Sequence, residues 1–224
     1  IYLLCKDETL YRSDNLGVTV QTMTNPTAAN LYGYYDAVLA VSPTNANVVM
    51  CGGADIARSV DGGTTWTAIG ANVHPDQHYI EYQNGSGQVL YSCNDGGIYR
   101  SANGGGVWTD ISNGLSIKQY YALSMSASDP TVIYAGAQDN GTDRLSGTAW
   151  TNVLGGDGMD CMVDYQNDQQ VYASYQYGAM QKSTDGGASF VDISPATGAW
   201  LTPFAMHPVN PQIIYGGYVD VHRS

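Results

Sequence analysis

A short pattern recurs along this chain at nearly constant spacing, and it constrains the fold more than any other feature. The pattern, Ser-x-Asp/Asn-x-Gly-x-x-Trp/Phe, is complete at 59–66, 101–108 and 183–190. A weaker copy begins at Ser13, a shortened one occupies 146–150, and a further serine stands at 224. We call each copy a box. Successive box serines lie 37–46 residues apart, which is the repeat length of a unit of four short strands.

The segments that flank each box repeat with it. A β-rich stretch that ends in small residues comes before the box, as at 89–93 and 132–136, and a short strand follows it. Further upstream, 39–43 and 204–208 are predicted to be innermost strands, and no segment shows sustained helical periodicity. We therefore predict an all-β fold, a β-propeller of four-stranded antiparallel blades whose boxes form hairpins. Residues 1–224 are predicted to form one domain of about six blade repeats. The first and last are incomplete, as in a fragment of a ring of seven or more blades.

The residue types within the box indicate a structural role. Glycine adopts the positive φ that tight hairpins need, and the serine and Asp/Asn side chains bond to the turn backbone. The aromatic residue is expected to pack between sheets, so we predict equivalent inter-blade positions for Trp66, Trp108, Trp150 and Phe190. The predicted structural box residues are Ser59, Asp61, Gly63, Trp66, Ser101, Asn103, Gly105, Trp108, Ser183, Asp185, Gly187 and Phe190.

These boxes resemble the Asp-box, or bacterial neuraminidase, repeats of sialidases, sortilin-type receptor propellers and xyloglucan-cleaving propeller enzymes. The likeness covers essentially the whole chain, and it implies a secreted, extracellular or cell-surface bacterial protein. The stretch 94–101 resembles the Asp-x-Gly-Gly-x-Tyr-Arg segment that carries a catalytic aspartate in xyloglucanases, with Asp95 one place out of register.

The arginines argue against sialidase activity, because sialidases hold the substrate carboxylate with three arginines. Four of the five arginines here stand in the same place, just before a box serine: Arg12, Arg58, Arg100 and Arg223. Only Arg144 lies outside this pattern. We therefore interpret the arginines as structural residues of the repeat.

Charge and cysteine content narrow the possible partners. The formal net charge is −12, which repels phosphate backbones, so we do not expect a nucleic-acid partner. The longest apolar runs have strand length and are too short to span a bilayer.

Cys5, Cys51 and Cys93 each precede a box serine by eight residues. They would thus lie on adjacent blades at roughly 10 Å, beyond the ~7 Å that a disulfide allows, so we expect them to be unbridged.

The best candidates for function lie in the connections between strands. In a propeller, the turn from strand b to strand c and the connection from strand d to the next strand a share one face, at the mouth of the central channel. Asp95 and Asp157 are the catalytic candidates, because paired carboxylates hydrolyse glycosidic bonds. The binding candidates are Asp139, Asn140, Asp160, Tyr120, Tyr121 and Trp200.

Each candidate has a structural alternative. Asp and Asn beside Gly form turns, and tyrosine packs in every blade. We expect neither a cofactor nor a metal site, with calcium in the oxygen-rich segment 139–143 as the alternative. The sequence thus favours a non-catalytic extracellular propeller that binds a neutral polysaccharide or a protein partner, or forms cell-surface structure. The alternative is a secreted glycoside hydrolase of the xyloglucanase type.

Overall fold

The computed structural model describes residues 1–224 and confirms the all-β prediction. The chain forms short strands and two single-turn 3-10 helices, Thr27–Ala29 and Gln176–Gly178, so no helix is long and apolar enough to cross a membrane. The strands form six antiparallel sheets, each built from consecutive strands. This meander is the form of a propeller blade, and we number the sheets blades 1 to 6.

The chain divides into two compact units, Ile1–Ile117 and Lys118–Ser224. Unit 1 holds blades 1 to 3. Blade 1 has strands b, c and d, and blades 2 and 3 have four strands each. In chain order the strands of unit 1 are β1 Tyr2–Leu4, β2 Leu10–Arg12, β3 Gln21–Thr22, β4 Val38–Val41, β5 Val49–Gly52, β6 Ile56–Ser59, β7 Thr67–Ala68, β8 Gln77–Tyr82, β9 Leu90–Asn94, β10 Gly97–Ser101 and β11 Trp108–Asp110.

Unit 2 holds blades 4 to 6. Blades 4 and 5 have four strands each, and blade 6 has strands a, b and c. Its strands are β12 Tyr120–Met125, β13 Val132–Ala137, β14 Gly141–Ser146, β15 Ala149–Leu154, β16 Cys161–Val163, β17 Val171–Ser174, β18 Met180–Ser183, β19 Val191–Asp192, β20 Phe204–Met206, β21 Ile214–Gly217 and β22 Val221–Arg223.

The box hairpins between strands c and d share one hydrogen-bond scheme. In blade 2, the Ser59 hydroxyl donates to Asp61 Oδ1 and accepts the Gly63 N–H, both at 2.8 Å. Asp61 Oδ1 also accepts the Thr65 N–H at 2.9 Å. The same three bonds recur at the same spacing from Ser13, Ser101 and Ser183. The side chains replace backbone partners that the tight turn leaves open, as the residue pattern predicted.

The box aromatic residues pack between neighbouring blades of the same unit. Trp108 is 9% exposed and packs in a core cluster with Met50, Ile56 and Leu90. Its indole N–H donates to the Ile69 carbonyl of blade 2 at 3.1 Å. Trp66 donates to the Thr24 carbonyl at 3.0 Å, and Phe190 packs against the buried core of unit 2. Each of these three aromatic residues therefore packs its blade against the one before it.

The prediction for Trp150 is wrong. Its side chain is 51% exposed and stacks on Tyr120 with ring centroids 6.0 Å apart. In blade 3 the box serine pairs with the tryptophan, Ser101 opposite Trp108. In the shortened hairpin of blade 4, Trp150 pairs instead with Leu145, one residue before the serine. A shift of one residue turns a side chain to the other face of a sheet, so Trp150 cannot occupy the place of Trp108.

The repeat accounts for three of the four cysteines and four of the five arginines, and Cys161 and Arg144 lie outside it. All four cysteines are free thiols, as predicted for Cys5, Cys51 and Cys93. Burial raises the pKa of Cys51 and of Cys161 to about 12. Arg58 donates to the Gly104 carbonyl in the box of the next blade at 2.8 Å, which is a structural role.

Candidate functional site

The candidate residues lie in the b–c turns and the d–a connections, or directly beside them, as expected. Asp95 follows β9 in unit 1. In unit 2, Asp139 and Asn140 lie in the turn between β13 and β14, and the other candidates lie on β12 or in the two connections that lead to β16 and β20. Because consecutive strands are antiparallel, b–c turns and d–a connections fall at the same end of a blade. Each unit therefore presents one end that carries candidate residues.

In unit 1, Asp95 is held by two side chains. Its Oδ1 lies 2.7 Å from His78 Nε2, and its Oδ2 accepts the Tyr35 hydroxyl at 2.8 Å. The Tyr35 and His78 rings also meet edge to face, with centroids 5.0 Å apart. Tyr35 was not among the predicted site residues. The one sequence feature that marks Tyr35 as a candidate is the tyrosine-rich segment 32–35, which has no counterpart in the other repeats.

Two further carboxylates accompany Asp95. Asp36 is 1% exposed, and its Oδ1 accepts the Tyr32 N–H at 2.7 Å. Burial raises the pKa of this carboxyl, and the neighbouring Asp76 charge raises it further. Carboxylate oxygens of Asp76 and Asp95 lie within 4.8 Å of each other. Unit 1 therefore gathers acidic groups around one histidine and one tyrosine.

In unit 2, three exposed aromatic side chains form a connected row. Tyr121 donates its hydroxyl to Gln138 Oε1 at 2.8 Å, and the Trp200 indole N–H lies 3.4 Å from the Tyr121 hydroxyl oxygen. Tyr177 meets Trp200 edge to face with centroids 5.4 Å apart. The exposed fractions are 42% for Tyr121, 41% for Trp200 and 53% for Tyr177. We call these three residues the aromatic row.

The backbone fixes two members of the row. The Tyr177 N–H donates to the Trp200 carbonyl at 3.1 Å, and the Gly198 N–H donates to the Tyr177 carbonyl at 2.7 Å. Tyr177 has φ of 61°, a conformation that bulky residues rarely adopt. The b–c turn of blade 5 and the following d–a connection are thus joined directly, so these rings are held in place before any ligand binds.

The acidic candidates of unit 2 have different environments. Asp157 Oδ1 accepts the Asp139 N–H at 3.0 Å, which joins two connections. Asp160 Oδ1 accepts the Cys161 N–H at 2.9 Å and its Oδ2 accepts the Phe204 N–H at 3.4 Å. Burial raises the pKa of Asp160. Asn140 donates its amide to the Gln138 carbonyl at 3.0 Å. Asp160 and Asn140 thus each bond to backbone groups, and both contribute to the fold of the connections.

Tyr120 belongs to a different group from Tyr121. Its hydroxyl donates to Asp143 Oδ2 at 2.9 Å, and Lys118 Nζ lies 2.5 Å from the same oxygen. Burial, followed by the hydrogen bond to Asp143, raises the pKa of Tyr120 to about 12. Because a buried carboxylate needs such partners, Tyr120 and Lys118 act mainly to satisfy Asp143. The structure does not bring Tyr120 into the aromatic row.

Comparison with solved structures finds β-propellers at low sequence identity. The GH74 enzyme of Niastella koreensis matches 96% of this chain with 19% identity and a TM-score of 0.41. The GH74 xyloglucanase of Xanthomonas campestris matches 94% with 17% identity and a TM-score of 0.40. This chain spans 40% of the length of each.

A second kind of neighbour is YCF48, in a structure bound to a D1 peptide. It matches 99% of this chain and 88% of its own length, with 14% identity and a TM-score of 0.38. No protein-family model matches the sequence, and no curated protein matches it. The chain's own strand order shows an all-β fold, built from the four-stranded antiparallel blades of a β-propeller.

Proposed function

We propose that this chain is a binding portion of an extracellular Asp-box β-propeller, and that the aromatic row of unit 2 binds a neutral polysaccharide. The observation that carries the proposal is the row itself. Tyr121, Trp200 and Tyr177 are large, exposed and tied together by hydrogen bonds and ring contacts. Aromatic rings with a polar edge combine an apolar face with a hydrogen-bonding group, and sugar rings offer both kinds of surface. Rings already held in place lose little entropy on binding.

The assignment to Asp-box repeats is supported by the hairpins. Four copies share the serine and Asp/Asn bonds described above, at identical spacing. A calcium ion in the segment 139–143 stays a prediction. The Asp143 carboxylate already has the Lys118 ammonium group as a partner, so calcium would have to compete with an internal cation.

Charge favours a neutral ligand over an anionic one. The chain carries a net charge of −12, and Asp157 bonds to the b–c turn of blade 4, whose Gln138 accepts the Tyr121 hydroxyl. A carboxylate accepts hydrogen bonds from sugar hydroxyls and repels uronic or sialic acids. We therefore expect neutral glucans to bind and acidic glycans to bind weakly.

A glycan array tests this proposal. The chain is screened against neutral β-glucans, xyloglucan, uronic-acid polymers and sialylated glycans, together with the Trp200→Ala and Asp157→Asn variants. Neutral glycans are expected to bind the wild-type chain, and the Trp200→Ala substitution is expected to weaken this binding. Trp150→Ala is the matched control, because Trp150 is also exposed, 51% against 41% for Trp200, but lies outside the row. Binding confined to acidic glycans, or to a protein partner, would contradict the proposal.

A second candidate function, glycoside hydrolysis, is favoured by the surroundings of Asp95. Its carboxylate is oriented by His78 and Tyr35, and Asp76 supplies a second carboxylate within 4.8 Å. Glycosidases use two such groups, one as acid and the other as base or nucleophile. The test is release of reducing sugar from xyloglucan by the wild-type chain and by Asp95→Asn. This candidate requires turnover that Asp95→Asn abolishes while glycan binding persists.

A further inference from the structure

Four asparagines in this chain are followed directly by glycine, and their surroundings in the fold differ. An asparagine in this position can lose its amide group without an enzyme. The glycine nitrogen attacks the side-chain carbonyl carbon, its proton leaves with the side-chain amide group as ammonia, and a cyclic imide forms. Water then opens the imide at either carbonyl, which gives aspartate or isoaspartate. Glycine favours this ring closure because it has no Cβ to hinder the approach. The four asparagines are Asn84, Asn103, Asn113 and Asn140.

Asn84 lies in an exposed turn that leaves both reacting groups free. The turn connects β8 to β9 and is closed by a bond from the Ser86 N–H to the Gln83 carbonyl at 2.9 Å. Asn84 and Gly85 are both exposed, and neither the Asn84 side chain nor the Gly85 N–H makes a hydrogen bond within the protein. Gly85 has φ of 72°, and a side chain added there would meet no atom within 4 Å.

Asn113 has the same surroundings in the connection that follows β11. The Leu115 N–H donates to the Ser112 carbonyl at 2.9 Å, so the same bond closes this turn. Asn113 and Gly114 are exposed, and the Asn113 side chain and the Gly114 N–H make no hydrogen bond within the protein. Gly114 has φ of 90°, and no atom lies within 4 Å of a side chain added there. At both turns the glycine nitrogen and the side-chain amide are therefore open to each other and to water.

Asn103 is held by the box hairpin of blade 3. Its Oδ1 accepts the Ser101 hydroxyl at 3.0 Å and the Val107 N–H at 2.8 Å. Gly104 is buried, and its N–H donates to the Gln88 carbonyl at 2.8 Å. Because both reacting groups are already bonded, these hydrogen bonds must break before the ring can close.

Asn140 is held in a second way, just before β14. Its side-chain amide donates to the Gln138 carbonyl at 3.0 Å, and its main-chain carbonyl accepts the Asn152 amide at 2.8 Å. Gly141 is buried and pairs with Ala137 in β13. This strand pairing fixes the backbone that would have to turn for the glycine nitrogen to reach the side chain.

We propose that Asn84 and Asn113 are sites of spontaneous deamidation, and that the fold protects Asn103 and Asn140. Each reaction replaces a neutral amide by a carboxylate, so the net charge of −12 becomes more negative. Isoaspartate also lengthens the main chain by the side-chain carbon, which exposed loop tips tolerate. The two sites lie at opposite ends of blade 3. Asn84 is at the end of the box hairpin, and Asn113 is at the end that carries candidate residues.

A peptide map of the folded chain tests this proposal. The purified chain is incubated at mildly alkaline pH, because loss of the glycine N–H proton promotes the attack. Samples taken over time are digested and analysed by mass spectrometry with a fragmentation method that separates aspartate from isoaspartate. Both products are expected to accumulate at Asn84 and Asn113. Accumulation at Asn103 and Asn140 is expected to be at least about tenfold slower, since their hydrogen bonds must first be lost.

The same chain unfolded in urea is the matched control, because it keeps all four Asn-Gly sequences and loses the hydrogen bonds of the fold. In urea the four sites are expected to react at similar rates. Equal rates at all four sites in the folded chain would overturn the proposal. Absence of product at Asn84 or Asn113 in the folded chain, at a time when the unfolded chain has reacted there, would overturn it as well.

Discussion

The two ends of each blade differ in how closely their residues and hydrogen bonds repeat from one blade to the next. The box hairpins make the same serine and Asp/Asn bonds in four copies. The b–c turns at the other end differ from blade to blade. Asp95 precedes two glycines in blade 3, Asp139 adopts φ of 59° in blade 4, and a 3-10 turn contains Tyr177 in blade 5. Residues that repeat serve what all blades share, which is the fold. Residues that vary are available for a function that belongs to one place.

The largest expected effect contrasts two tryptophans. Trp108→Ala removes a buried ring and its bond to Ile69, and is expected to lower the free energy of unfolding by about 3–5 kcal/mol. Trp150→Ala removes a half-exposed ring stacked on Tyr120, and about 1 kcal/mol or less is expected. Urea unfolding measures both. Similar losses would mean that the shortened hairpin contributes to the core like the complete boxes.

A smaller effect is expected from a backbone difference among the boxes. Leu16 has φ of 58°, where the equivalent Gly104 has φ of 67°. An L-residue other than glycine pays roughly 1–2 kcal/mol in this region. Leu16→Gly is therefore expected to stabilise the chain by up to about 1 kcal/mol, and Gly104→Ala to destabilise it by about 1 kcal/mol. The midpoint of thermal unfolding is measured for both variants. If both midpoints shift in the same direction, this interpretation of the hairpin is contradicted.

The smallest effect concerns pH. Hydrogen bonds from the Thr65 hydroxyl and N–H, and from Ser59, lower the pKa of Asp61 from 3.8 to about 2. Because the pKa is lower in the folded state, the stabilisation is complete above the ordinary pKa and is lost as the pH falls through about 2. Between these two pKa values, the free energy of unfolding of Asp61→Asn is therefore expected to fall less with decreasing pH than that of the wild type.

Blade 3 supplies the matched variant for the pH experiment. Asn103 holds the place of Asp61 and makes the same main-chain bond, to the Val107 N–H. Asn103→Asp is expected to make the free energy of unfolding fall more steeply at acid pH. This change is expected to be smaller than the opposite change in Asp61→Asn, because Val107 has no hydroxyl to donate. The unfolding midpoints of the wild type, Asp61→Asn and Asn103→Asp are measured from pH 4 to 2. If the midpoints of all three fall in parallel with pH, the proposed bonds to ionised Asp61 are refuted.

The repeat made much of this fold predictable from sequence. Box serines fixed the strand order, and the connections that carry Asp95, Asp157 and Trp200 were located correctly. Trp150 was mispredicted because a shorter hairpin changes strand register, which a match of residue types does not reveal. Tyr35 was missed because its segment has no repeat counterpart. Tyr120 and Tyr121 look alike in sequence, yet one satisfies the buried Asp143 and the other joins the aromatic row.

The most direct test of the division between folding hairpins and binding connections is an affinity measurement. A xyloglucan oligosaccharide is titrated calorimetrically into the wild-type chain, Trp200→Ala and Leu16→Gly, each first shown to be folded by its unfolding transition. We predict at least about tenfold weaker binding for Trp200→Ala, since exposed rings at a binding surface carry much of the affinity, and unchanged binding for Leu16→Gly. Unchanged affinity in folded Trp200→Ala, or a loss in Leu16→Gly, would contradict the account.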